Sequence, residues 1–277
     1  MATILVVTDF SQSAQNAFKY ACAFSAASNN IELLLVNINS VPASYSGDGV
    51  SMAAISDTLG NRIDKLKEEI ERVSENFPAA KLKYKALIGN YIKSLQELIE
   101  EEEAVLIILG TPASFGEIWS WDTDTLRAMT ELPIPVLAVP RDVAYKPIEQ
   151  ISFASIPGNL HSASPIESIK KLIKYTGAKL HIVTVTTPQH PEQKEQEAEA
   201  ALHEQLREVD TVYHKIDDPH IVQAIGKFVE EQHIDLLLVR PRKHGIWYNL
   251  FHKSYARELA KLNQIPVMAL HDEWNVN

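Results

Sequence analysis

The chain has 277 residues, a formal net charge of −10, 45% hydrophobic residues and 22% charged ones. That is the balance of a globular chain of about two ordinary domains, and its acidity argues against bulk attraction to nucleic acid or an anionic membrane. Cys22 is the single cysteine, so a disulfide within the sequence and a four-cysteine zinc site are both excluded.

The Met-Ala-Thr-Ile start runs straight into a strand with no basic n-region, and no apolar run approaches membrane-spanning length. The expectation is a cytoplasmic protein that binds neither membrane nor nucleic acid. Ile4–Val7 is the first predicted strand and ends at Thr8-Asp9. Ser11 is placed to cap a helix from about Ser13 to Ala27, with Ala14, Ala17, Phe18, Ala21 and Phe24 or Ser25 on its inner face. Cys22 has nothing basic beside it and reads as a packing residue. Ile31–Ile38 is the second strand. Val41–Asn61, rich in turn residues, reads as a loop or lid, and Asp57–Asn76 as an amphipathic helix with Lys67–Glu71 and Glu68–Arg72 at i,i+4. Leu82–Leu87 is a strand and Tyr91–Glu102 a helix, whose acidic end Glu100–Glu103 reads as a solvated terminus and not a metal site.

Val105–Leu109 is short, wholly apolar and β-branched, as in a strand buried on both faces of a parallel sheet. A polar loop follows, then a helical pattern through Leu126, Met129 and Leu132, then a closing strand behind Pro135. The second half repeats this order: strand Ile151–Ser155, helix Ser162–Thr176 with Pro165 in its first turn, strand Leu180–Val185, charged helix Glu192–Val209, strand Val212–Lys215 and helix His220–Gln232. Leu236–Val239, a helical pattern through Ala256, Leu259 and Leu262, and Pro266-Val-Met-Ala-Leu close it. His203, His214 and His220 show no metal-ligand spacing and read as surface residues.

The repeat is internal. Thr3–Asp9 lines up with Gln150–Ile156, and Ala104–Pro140 with Ile234–His271; the excess length of the first copy falls in Val41–Asn61. The expected architecture is α/β, two tandem doubly wound, mostly parallel five-stranded sheets, with domains at 1–143 and 148–277. Ligands of such sheets bind beyond the carboxyl ends of the strands.

Asp9 directly after the first strand, the LLLVNI strand, the glycine after the fourth strand and the Pro-Val-Leu-Ala-Val closing strand resemble the universal stress protein family in its tandem form, over essentially the whole chain. The resemblance implies an adenine nucleotide alpha hydrolase-like, Rossmann-like fold. It also implies a Gly-x-x-Gly…Gly-Ser/Thr loop that wraps phosphates in backbone N–H groups at a helix start. Asp9, Gly110 and Thr123 match that frame in the first half, with Thr111 beside the glycine and Ile38 at the adenine-side position where a valine is usual. Ala113 stands at the second glycine, Asp122 at the third, and Gly116 lies off the motif's spacing. In the second half Val185 matches the adenine side. Ile156 replaces the acid, Arg240 replaces the first glycine, and Arg242, Lys243, Lys253 and Ser254 make a basic loop with a hydroxyl. The basic loop suits phosphate or another anion, or else only balances the acidic surface. Trp119, Trp121, Trp247, Tyr248 and Phe251 stack on a base or, the favoured reading, pack the loops down.

The function this implies is ligand sensing or stress response without turnover, through a degenerate site for ATP, AMP or phosphate. The alternatives are a nucleotide hydrolase or adenylating enzyme, for which Asp9 is the one evident candidate, and an interaction scaffold with no small ligand. By the same resemblance the closing strands Val136–Val139 and Val267–Leu270 pair the halves as an internal pseudo-dimer, with a further homodimer open.

Overall fold

The computed structural model describes residues 1–26, 30–39, 52–112, 123–155, 165–186, 200–240 and 264–271. These fall into two compact units, one within 1–145 and one from Lys146 onward.

In the first unit the elements are β1 (Ala2–Val7), α1 (Gln12–Ala26), β2 (Ile31–Asn39), α2 (Met52–Ser74), β3 (Lys81–Ile88), α3 (Tyr91–Glu101), β4 (Ala104–Thr111), α4 (Thr123–Glu131) and β5 (Val136–Pro140). The strands pair in parallel in the order β3-β2-β1-β4-β5. Central β1, β2 and β4 carry unbroken apolar runs because helices cover both faces, and Leu5, Leu33, Leu35, Ile107 and Ile108 are fully buried. Edge strand β3 instead alternates lysines outward, and Lys83 reaches Glu32 of the neighbouring strand at 2.8 Å.

The inner face of α1 is as the spacing predicts, with Ala14, Ala17, Phe18, Ala21 and Ser25 buried. Ser11 Oγ accepts from Ala14 N at 3.2 Å and caps the helix. Cys22 is buried among apolar neighbours, and burial pushes its thiol up to about 12, which leaves it an unreactive packing group.

The second unit has β6 (Gln150–Ser155), α5 (Ile166–Thr176), β7 (Lys179–Thr186), helical residues 200–205, β8 (Thr211–Asp217), α6 (Ile221–Glu231), β9 (Leu236–Val239) and β10 (Val267–Ala269). Its parallel order, β10-β9-β6-β7-β8, is that of the first unit. The two sheets therefore repeat the same winding, as the internal repeat requires. Helix α5 ends where Gly177 takes φ 69° and donates its N–H to the Ile173 carbonyl at 2.8 Å.

Several expectations are corrected. Helix α2 begins at Met52 and not at Asp57. Its first residues, Met-Ala-Ala-Ile, are able helix formers, which outweigh the loop-like composition before them. Lys67 pairs with Asp64 one turn back, at 3.6 Å, and not with Glu71. No pair joins Glu68 to Arg72 among the described ion pairs; Arg72 acts instead on Glu69. Helix α5 begins after Pro165, which stands at the cap position, while Ser162 lies outside the described residues. His214 is half-buried, not on the surface, because β8 is covered by Phe228 of α6. Glu101 and Glu102 at the end of α3 are tied to Lys85 at 2.8 and 3.7 Å, consistent with a solvated, charge-balanced terminus. Among the described residues no helix is long and apolar enough to cross a membrane.

Candidate functional site

The carboxyl edge of the first sheet is built around the end of β1. Thr8 continues the strand, with its N–H bonded to the Val36 carbonyl at 2.9 Å, and is buried. Asn37 Nδ2 donates to the Thr8 carbonyl at 2.7 Å. Thr8 Oγ1 accepts from Phe10 N at 3.0 Å and donates to Glu69 Oε2 of α2 over a long 3.5 Å. The chain then leaves the sheet through Asp9, whose Oδ1 accepts from Ser11 N at 2.8 Å, and turns at Phe10 with φ 69°. An aromatic residue in the left-handed region costs about 1–2 kcal/mol. Here Thr8 Oγ1 and Gln15 Nε2, which donates to the Phe10 carbonyl at 3.1 Å, hold it in place. The Phe10 ring carries Arg62 and Lys65 of α2, each 5.6 Å from its centroid.

This edge is rich in acceptors. Glu69 is 4% exposed, and burial raises its pKa against the opposing pull of Arg72 and the Thr8 hydroxyl, with Asp9 adding a further upward push. Among the described residues Glu69 Oε1, Asn37 Oδ1 and Thr111 Oγ1 are buried without a hydrogen-bond partner. Such an edge suits groups that bring hydrogen-bond donors; a bare phosphate meets Asp9 and Glu69 there, with Arg62 and Lys65 of α2 over the adjoining Phe10 ring and Arg72 acting on Glu69.

Gly110 has a structural reason to be glycine. A Cβ there would run into the Ser13 carbonyl group and lie 2.6 Å from Ala14 N, so α1 could not approach β4 so closely. Thr111 ends β4, and its carbonyl accepts from Arg141 N at 2.9 Å. Ile38, half-buried on β2, sits level with Leu87 of β3. Thus Asp9, Ile38, Gly110 and Thr111 all stand at the carboxyl ends of β1, β2 and β4. Thr123 is the first residue of α4. Gly116, Asp122, Arg242, Lys243, Lys253 and Ser254 lie outside the described residues, as do the five loop aromatics.

In the second unit Val185 is buried near the carboxyl end of β7, and Arg240 follows β9 directly, only 5% exposed. The second unit also shows two polar constellations that sequence reasoning missed. Asp235 precedes β9; its Oδ2 accepts from Glu149 N and Gln150 N, both at 2.8 Å, and its Oδ1 pairs with Lys146 at 2.6 Å. Burial alone would raise its pKa, yet Lys146 and the two N–H groups outweigh it and hold the carboxyl below its usual range. The clue in sequence was an acid placed directly before an apolar run. The second constellation joins His181 of β7 to His214 of β8, Nδ1 to Nε2, at 3.0 Å, and His181 Nε2 to Gln150 Oε1 at 2.8 Å. A histidine inside a strand's apolar run, as in Lys-Leu-His-Ile-Val, was the available signal. Among the described residues no group of three or more His, Cys, Asp or Glu side chains is placed to hold a metal ion.

Residues 1–140 match the family model described as the universal stress protein family. In structure the chain is similar, over 98% of each chain, to a universal stress protein from Archaeoglobus fulgidus DSM 4304, with a TM-score of 0.68 at 14% identity. It is also similar to a functionally unknown protein from Pseudomonas aeruginosa PAO1, with a TM-score of 0.56 at 15% identity, covering 99% of this chain and 94% of that one. At these identities the likeness bears on the fold alone. No curated protein matches the chain in sequence.

Proposed function

This chain belongs to the universal stress protein family, and from that premise we propose that it is a cytoplasmic ligand-sensing module that works by binding, without turnover. Its first unit carries a remodelled adenine-nucleotide site with weak or no affinity for ATP. Its second carries an anion site formed by Arg240, Arg242, Lys243, Lys253 and Ser254.

The observation that supports the first half of this reading is the acidic, acceptor-rich end of β1. Asp9 is exposed beside a buried Glu69, and Glu69 Oε1 and Asn37 Oδ1 are buried acceptors without a hydrogen-bond partner among the described residues. A triphosphate brought to that edge is repelled unless a cation intervenes. Ala113 and Asp122, where the family's loop has glycine, act in the same direction: a side chain blocks close approach of phosphate to the backbone. Arg240 and the basic residues that follow it in sequence would supply positive charge for an anion in the second unit.

Isothermal calorimetry with ATP–Mg²⁺ and with inorganic phosphate on the whole chain tests this reading. Weak ATP binding strengthened by Asp122→Gly, together with phosphate binding lost on Lys253→Ala, is the expected pattern. Micromolar ATP affinity that survives Lys253→Ala and disappears on Asp9→Ala would restore the first unit as a working ATP site. ATP turnover by the purified chain, abolished in Asp9→Ala, would make it an enzyme.

The closing strands β5 and β10 complete the proposal. We take them, by family resemblance, as the pairing surfaces of an internal pseudo-dimer, since each is a short apolar strand at the end of its own sheet order.

A further inference from the structure

We propose that the His181–His214 pair in the second unit is a switch, thrown by a second ring proton, that sets how tightly α6 holds to β7 and β8. The proposal follows from the hydrogen-bond directions. Gln150 Oε1 can only accept, so His181 Nε2 carries the hydrogen in their 2.8 Å contact. In a neutral ring His181 Nδ1 is then bare, and it accepts from His214 Nε2–H at 3.0 Å. One bare nitrogen remains, His214 Nδ1. A first proton taken there leaves every bond in place. A second proton has no such place. With both rings charged, all four nitrogens carry hydrogens, and two N–H groups face each other across 3.0 Å.

The pair is also the floor under α6. The Phe228 ring stands edge-on to both imidazoles, 4.7 Å from His214 and 6.2 Å from His181. His181 and Phe228 are 6% and 5% exposed, so a ring that swings out to water takes the seat of Phe228 with it. The groups around the pair do nothing to ease double charging. Gln150 comes from β6, Lys179 lies on β7 and adds like charge, and α6 brings Phe228. Lys227 and Glu231 of α6 pair with each other, 70% and 58% exposed, away from the rings. Among the described residues no carboxylate pairs with either imidazole.

Burial, the partner ring and Lys179 lower the pKa of His181, while burial and Lys179 lower that of His214. The folded unit therefore favours neutral rings, whereas an unfolded histidine takes its proton near pH 6.5. The stability contributed by the pair is complete above about pH 6.5 and is lost as the pH falls from there toward the folded values.

Hydrogen exchange of the α6 amides, residues 221–231, followed from pH 7.5 to 5.0 on the whole chain, reads the switch. The opening constant of α6 is expected to rise below about pH 6.5 by up to about tenfold per pH unit for each proton taken up. The histidine ¹⁵N spectrum at pH 7.5 should show His181 protonated at Nε2 and bare at Nδ1. In the double variant His181→Gln/His214→Gln the α6 opening should be flat over the same range. Flat opening in the unaltered chain overturns the proposal, and so does the same pH response in the double variant. Should that variant not fold, the unaltered chain still decides: two ring protons taken up above pH 5 while α6 stays protected would also overturn it.

Discussion

At the scale of single residues, Gly110 and Asp235 show how a position's role depends on what packs against it. Gly110→Ala places a methyl group against the backbone of Ser13 and Ala14, which α1 can relieve only by moving off β4. Thermal or denaturant unfolding should show a loss of about 1–3 kcal/mol, the usual cost of overpacking. Because the clash lies with α1, this loss should appear whether or not nucleotide is present. Asp235→Asn removes the charge that holds Lys146 and weakens the acceptor of two backbone N–H groups. A loss of about 2 kcal/mol is expected in denaturant unfolding. Asp235 has a depressed folded pKa, so its contribution is present above about pH 4 and is lost as the pH falls through the folded value. The gap between the two proteins should close over that range. Sequence alone gives Gly110 a phosphate-loop role by resemblance; its contact with α1 arises from packing between segments nearly a hundred residues apart, which no local pattern reports.

At the scale of elements, strands were the most legible part of the chain. β2, β4 and β9 are buried on both faces and read as continuous apolar runs, and their predicted limits differ from the observed ones by a residue or two at most. Helix α2 was harder. Its face of Leu66, Glu69 and Val73 is buried although one member is a carboxylate, and its start at Met52 was hidden by the turn-rich composition just before it. His214 misled for another reason: its burial comes from Phe228 of the next helix, α6, and its bond from His181 of β7, and no pattern within β8 itself reports either. The carboxyl-edge site was legible as positions at strand ends, Asp9 and Gly110 among them, but the part played by Glu69 was not. It enters from a helix that the sequence assigns only by period. Gly177 offers a test at this scale. Its φ of 69° closes α5, and Gly177→Ala should cost about 1 kcal/mol in equilibrium unfolding through left-handed strain alone, since a Cβ there meets open space.

At the scale of the whole molecule, the proposed pairing of closing strands carries its own test. Leu137 is 3% exposed on β5, and Leu137→Lys buries a charge at the strand assigned to pairing. The expected outcome is a lower melting temperature and a larger hydrodynamic radius; an equally stable, equally compact variant would count against the pairing. Asn16 of α1 holds the other end of the first unit, with Nδ2 donating to the Pro140 and Val143 carbonyls at 2.9 and 2.8 Å. Tyr145 stands edge-on to Tyr20 and Phe24 on the same helix. A growing polypeptide leaves the ribosome amino end first, and domains fold as they emerge. Every partner in this fastening is in hand once Tyr145 has been made. The nascent first unit can thus tie off its own chain end while the second half is still being translated.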